Sequence, residues 1–120
     1  MMYDDNNIFA KILRGQIPCK KVHEDSHTLA FEDINPQAPV HTLVIPKGKY
    51  VSMTDFAAKA SDAELAAFSR AVLKVVEIKG LQAGGYRLIT NNGLNGGQEV
   101  PHLHVHVVGG QPLGPMLSRK

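Results

Sequence analysis

The chain has no tryptophan, a single cysteine and few aromatic residues of any kind, 6% of its 120 positions. With Cys19 alone, no internal disulfide can form, so a packed core has to hold the fold, and a reducing compartment such as the cytoplasm is expected. No apolar run approaches the roughly 20 residues of a membrane-spanning helix, and no N-terminal stretch resembles a signal peptide. Charge of one sign is lacking too: thirteen basic residues stand against eleven acidic ones. The basic residues are scattered, which argues against a nucleic-acid-binding stripe and leaves a small molecule as the expected partner. Low-complexity segments and internal repeats are absent, and the length suits one domain spanning residues 1–120.

The elements that can be read are short. "DDNNIFAKILRG" offers Asn6 or Asn7 as a cap, an apolar set of Ile8, Phe9, Ile12 and Leu13, and Gly15 as a stop, which predicts a first helix. "KKVHED" and "TLAFEDI" read as a hairpin turning through Asp25 to His27, and "HTLVIPK" as a third strand ending at Pro46. A long loop is expected next. "SDAE", Ser61 to Glu64, is a capping box opening a second helix in which Leu65, Phe68, Val72, Val75 and Val76 recur at helical spacing until Gly80. "YRLIT" and "HLHVHVV" read as the last two strands, joined by the glycine-rich "NNGLNGGQEV", and residues from about 109 to 120 as an irregular tail. The expectation is an α+β domain, a five-stranded antiparallel sheet with two helices.

"HLHVHVV" carries the chemistry. On a strand Leu103, Val105 and Val107 share one face and His102, His104 and His106 the other. A solvated sheet face rarely uses histidine where threonine, lysine or glutamate would serve. A metal site is a second reading, but at roughly 3.3 Å per residue the outer histidines lie about 13 Å apart, too far to converge on one ion from a regular strand. Phosphoryl chemistry suits the row better. Donors spread along a strand can each reach a different oxygen, while a neutral imidazole is a competent nucleophile at phosphorus. Gly93, Gly96 and Gly97, just upstream, would let backbone N–H groups approach an anion. Asp33 could hold sugar hydroxyls or simply form a turn, and Ile8, Phe9, Ile34 and Leu43 could line a slot for a base or be core.

"HLHVHVV" resembles the signature of the histidine triad superfamily. "FEDINPQAPVHTLVIPK" and "NNGLNGGQEVPHLHVHVVGG" are similar to its nucleotide-binding Hint branch, and the likeness runs from "NIFAKILRGQIP" to "GGQPLGPML". The resemblance implies a homodimer with one sheet continued across both copies, no metal or other cofactor, and hydrolysis of P–N bonds in purine nucleoside phosphoramidates through a nucleotidyl-histidine. A nucleotide-binding regulator with incidental hydrolysis is the rival. Carried over by position, His104 is the nucleophile, His102 and His106 are donors to phosphate and leaving group, and His41 is a fourth histidine. Asp33 is then the ribose ligand, Ile8, Phe9, Ile34 and Leu43 the purine pocket, and Asn91, Gly97, Gln98 and Glu99 the phosphate-side loop. Glu99 stands where animal members have serine, Pro101 where an aromatic residue often precedes the triad, and the C-terminal tryptophan of animal members is missing.

Overall fold

The structure, a computed structural model, describes residues 1–118. Helix α1 (Ile8–Leu13) starts where the Asn7 side chain accepts the Ala10 N–H at 2.9 Å, and Gly15, at φ +75°, turns the chain away from it. Strands β1 (Lys21–Glu24) and β2 (Thr28–Glu32) follow as a hairpin. Its turn is tied by Asp25, whose Oδ1 accepts the N–H groups of His27 and Thr28 at 2.8 and 2.9 Å. Then come β3 (Val40–Pro46), α2 (Met53–Lys59), α3 (Asp62–Ile78), β4 (Tyr86–Ile89), the single turn α4 (Gly93–Gly96) and β5 (Val105–Gly109).

All five strands pair antiparallel in the order β1-β2-β3-β5-β4. The capping box of α3 is formed: Ser61 Oγ accepts the Glu64 N–H at 3.1 Å, and Glu64 accepts the Ser61 N–H at 3.0 Å. This helix lays Phe68, Ala71, Val75 and Val76 on one face of the sheet, against Ala30, Val44, Leu103, Val105 and Val107, with Phe56 of α2 completing the layer. The other face carries Leu29, Phe31, Leu43 and Ile45, covered by Phe9 of the short α1 with the half-buried Ile12, Leu13, Cys19 and Val100. Among the described residues no helix is long and apolar enough to cross a membrane.

Three expectations need correction. There are four helices rather than two: part of the expected loop after β3 is α2, and the glycine-rich connection contains α4. The last strand begins at Val105, not His102. Upstream of it the backbone leaves the ladder, with the His102 N–H donating to Val100 O at 2.9 Å and the Leu103 N–H to Tyr50 O at 2.7 Å. The irregular tail covers 110–118, because β5 runs through Gly109; residues 119 and 120 of that expectation lie outside the described residues.

Candidate active site

The period of the strands sorts the site residues. Leu43 faces His106 across the β3–β5 pair and His41 faces Val108, so His41, Leu43 and His106 emerge on the sparsely covered face, and Arg87 and Ile89 join them from β4. Here lies a cavity of about 760 Å³, within the range of small-molecule sites. Of the residues expected from the sequence, His41, His104, His106, Ile8, Phe9, Asp33, Ile34, Leu43, Asn91, Gly97, Gln98 and Glu99 all line it. His102 does not.

His102 is fully buried and both its ring nitrogens are engaged. Its Nε2 lies 2.8 Å from Pro46 O, which can only accept, so Nε2 carries the proton. Nδ1 therefore accepts, and the Tyr3 hydroxyl supplies the donor at 2.7 Å. The expected role of His102 as a phosphate donor is thus corrected: no N–H is left to point at a ligand. Burial above all holds its pKa down at about 4, with nearby His104 acting in the same direction against the favourable bond to Pro46.

His104 has the complementary arrangement. Its Nδ1 is 2.8 Å from the carbonyl of His102, another pure acceptor, so Nδ1 is protonated and Nε2 keeps its lone pair. Phe9 meets the ring edge-on at 4.9 Å between centroids, and Thr90 Oγ1 donates to the His104 carbonyl at 2.9 Å. Burial lowers the pKa of His104 more than the His102 carbonyl and the Asp33 carboxylate raise it, which keeps the imidazole neutral near pH 7. A neutral, oriented imidazole in an apolar-walled cavity is what nucleophilic attack requires.

The third and fourth histidines form a relay. The Gln37 N–H donates to His41 Nδ1 at 3.1 Å, so His41 Nε2 is protonated and donates to His106 Nδ1 at 2.9 Å. The neutral His106 then carries its own proton on Nε2 as a donor. Its pKa sits at about 4, chiefly through burial, with His104 and His41 adding to the depression and Asp33 opposing it. Asp33 Oδ2 lies 3.3 Å from His41 Nε2, while Oδ1 accepts the Asn35 N–H at 2.8 Å. Asp33, His41 and His106 have ligand atoms within 4.8 Å of one another and could chelate a cation, but in this geometry those atoms bond to each other.

The pocket residues differ in exposure. Phe9 and Leu43 are 7% and 4% exposed, whereas Ile8 and Ile34 are 40% and 85% exposed and form a rim. Gln98 is spent inside its own loop: Nε2 donates to Val51 O at 2.6 Å and to Val100 O at 3.1 Å, and Oε1 accepts the Gly93 N–H at 3.0 Å. It shapes the loop between β4 and β5, and its amide is taken up by backbone groups of the protein. Gly97, at φ +73°, closes α4 in a left-handed conformation that glycine adopts without strain. Sequence reasoning missed Tyr3 and Gln37, which have no motif, and Arg87. The Arg87 guanidinium donates to Gly114 O at 2.9 Å and Pro115 O at 3.2 Å, beside Leu113 on the cavity wall.

A five-stranded antiparallel sheet whose open face ends in His104 and His106, backed by the buried His102, defines an α+β domain of the histidine triad type. The HIT domain model matches residues 14–113, and the chain belongs to the HIT family. It is 59% identical over 117 residues to a HIT-like protein of Azospirillum brasilense, covering 98% of this chain and 96% of that one. It is also 44% identical over 116 residues to the purine nucleoside phosphoramidase of Escherichia coli K12, covering 97% of each. Among solved structures it is similar to a HIT family hydrolase from Clostridium thermocellum, with a TM-score of 0.85 and 40% identity over 96% of this chain and 99% of that one. A histidine triad protein from Clostridium difficile gives 0.83 and 41% over 97% and 100%.

Proposed function

We propose that the protein is a purine nucleoside phosphoramidase that cleaves the P–N bond of nucleoside 5′-phosphoramidates through a nucleotidyl-His104 intermediate. The observation that carries this reading is the 2.8 Å bond from His104 Nδ1 to the His102 carbonyl, which leaves the Nε2 lone pair available at the cavity. His104 Nε2 attacks phosphorus, the P–N bond breaks, and the leaving nitrogen takes a proton from solvent water as the amine departs. Water then attacks the phosphorus and releases the nucleoside monophosphate and free His104. His106 Nε2–H donates to a phosphoryl oxygen as charge develops there. Asp33 accepts from the ribose hydroxyls, and the base slides between Phe9 and Leu43 under the rim of Ile8 and Ile34. The name of the Escherichia coli relative, at 44% identity, supports the purine and P–N assignments.

A homodimer joined through β4 belongs to the same proposal. β4 is a sheet edge that exposes Tyr86, Leu88 and Ile89 at 46, 46 and 38%, an apolar edge that pairing with a second copy would cover. The half-buried free thiol of Cys19 fits the reducing cytoplasm. The test is turnover of adenosine 5′-phosphoramidate by the purified protein. Release of AMP and amine is expected. Tight AMP binding with no turnover would favour the nucleotide-binding regulator instead.

A further inference from the structure

The N-terminal arm ahead of α1 is pinned at several points, one of them the buried side of the triad. The Tyr3 hydroxyl donates to His102 Nδ1 at 2.7 Å, and the two rings lie 5.5 Å apart at 58°. Asp5 pairs with Lys49 at 2.7 Å, and its carbonyl accepts from Arg14 at 2.9 Å. Asn7, 6% exposed, donates to Asp4 O at 2.7 Å while capping α1, and two residues later Phe9 packs on His104. Tyr3 is 99 residues from His102 in the chain, lines no part of the cavity, and has no part in the reaction as set out above.

Resting on the reading of His104 as nucleophile, we infer that Tyr3 is a positioning residue whose hydroxyl anchors the ring of His102 and, through the His102 carbonyl, sets the orientation of His104. A neutral His102 has one ring proton. Pro46 O, at the end of β3, holds that proton on Nε2, which leaves Nδ1 to accept from the Tyr3 hydroxyl. The residue is thereby held at both ends of its ring. Its backbone lies outside the β5 ladder: the peptide that carries its carbonyl is held on one side by the Leu103 N–H on Tyr50 O at 2.7 Å, and the anchored ring holds it on the other. That carbonyl is the acceptor for His104 Nδ1–H at 2.8 Å, the bond that leaves the lone pair on Nε2. Without the Tyr3 donor, Nδ1 of His102 is a buried acceptor with no partner. The ring relieves this by tilting toward another donor, which strains its bond to Pro46 and loosens the carbonyl beneath His104.

The test is Tyr3→Phe, which removes one oxygen and keeps the ring, read by ¹⁵N spectra of the histidine side chains and by kinetics with adenosine 5′-phosphoramidate. The ring nitrogens of His102 and of His104 should both shift, those of His104 toward averaged tautomers, and kcat should fall roughly tenfold with KM within about twofold. Asp5→Ala, which frees the arm elsewhere, should leave the His104 nitrogens where they are. A 3-fluorotyrosine at position 3, a stronger donor of nearly the same shape, should move His102 Nδ1 the opposite way to Tyr3→Phe. Unchanged His104 nitrogens in Tyr3→Phe, or an equal change in Asp5→Ala, would overturn the assignment. Because the spectra need no substrate, shifted His104 nitrogens in a protein that turns over no phosphoramidate would uphold the positioning role and remove only the substrate reading.

Discussion

The two faces of the sheet are built from similar strands and end up doing different things. On one face the 17-residue α3, with α2, seals a layer in which Val44, Val75 and Val107 have no exposure at all. On the other the six-residue α1 covers only part of the surface, and the uncovered part is the cavity with His104, His106, His41 and Asp33 along it. Helix length decides the outcome. A face left partly bare by a short helix must be finished by polar groups that satisfy one another, and the histidine relay does this: among the described residues no buried side-chain nitrogen or oxygen lacks a partner.

The largest effect on this contrast should come from His104→Ala, which removes the proposed nucleophile from the open face: kcat for phosphoramidate cleavage should drop roughly ten-thousandfold, with AMP affinity and melting temperature largely kept. Phe68→Ala acts on the sealed face. It should cost about 3–5 kcal/mol in urea unfolding while the folded fraction retains its turnover, and Phe9→Ala should show the reverse balance, a smaller stability loss with a clear kinetic defect. Asp33→Ala should raise KM roughly tenfold with a lesser change in kcat, provided the substrate carries ribose hydroxyls. A 2′,3′-dideoxy substrate that still responds fully to the substitution would remove that role.

A pH series should report the buried imidazoles of the open face. Their folded pKa values lie below the unfolded value near 6.5, so between there and about 4 the unfolded chain binds more protons and stability falls as pH falls. His102 alone accounts for a slope of about 1.4 kcal/mol per pH unit in that window, with a flat profile above pH 7. Urea midpoints that stay level down to pH 5 would contradict the buried neutral state. The smallest effect is expected from Ser61→Ala on α3, about 1 kcal/mol with unchanged kinetics.

What was legible in the sequence follows the same division. α3 announces itself because its cap, its apolar spacing and its stop all lie within its own segment. α2 does not: its cap residue Ser52 makes no side-chain cap bond, and the work of fixing the entry falls to Asp55, which accepts the Val51 N–H at 2.9 Å from within the helix. α4 is a single turn hidden among glycines. In "HLHVHVV" the alternation correctly sends Leu103, Val105 and Val107 into the core, yet it cannot show that the ladder stops at Val105 or that His102 is buried away from the cavity. The partners that decide this, Tyr3 and Pro46, lie 99 and 56 residues away. The bonding of Gln98 was hidden for a related reason, since the three bonds that engage its amide depend on how its loop closes over Val51.

The central claim is that the lone pair of His104 Nε2 takes up the nucleotidyl group. Purified protein mixed with an adenosine phosphoramidate, quenched within the first turnover and digested for mass spectrometry, tests it directly. An acid-labile adenylyl group on the peptide containing His104, absent in His104→Ala, is the result expected. Finding that group on His106, His41 or any other residue, or full turnover with no covalent species at any time point, would contradict the account.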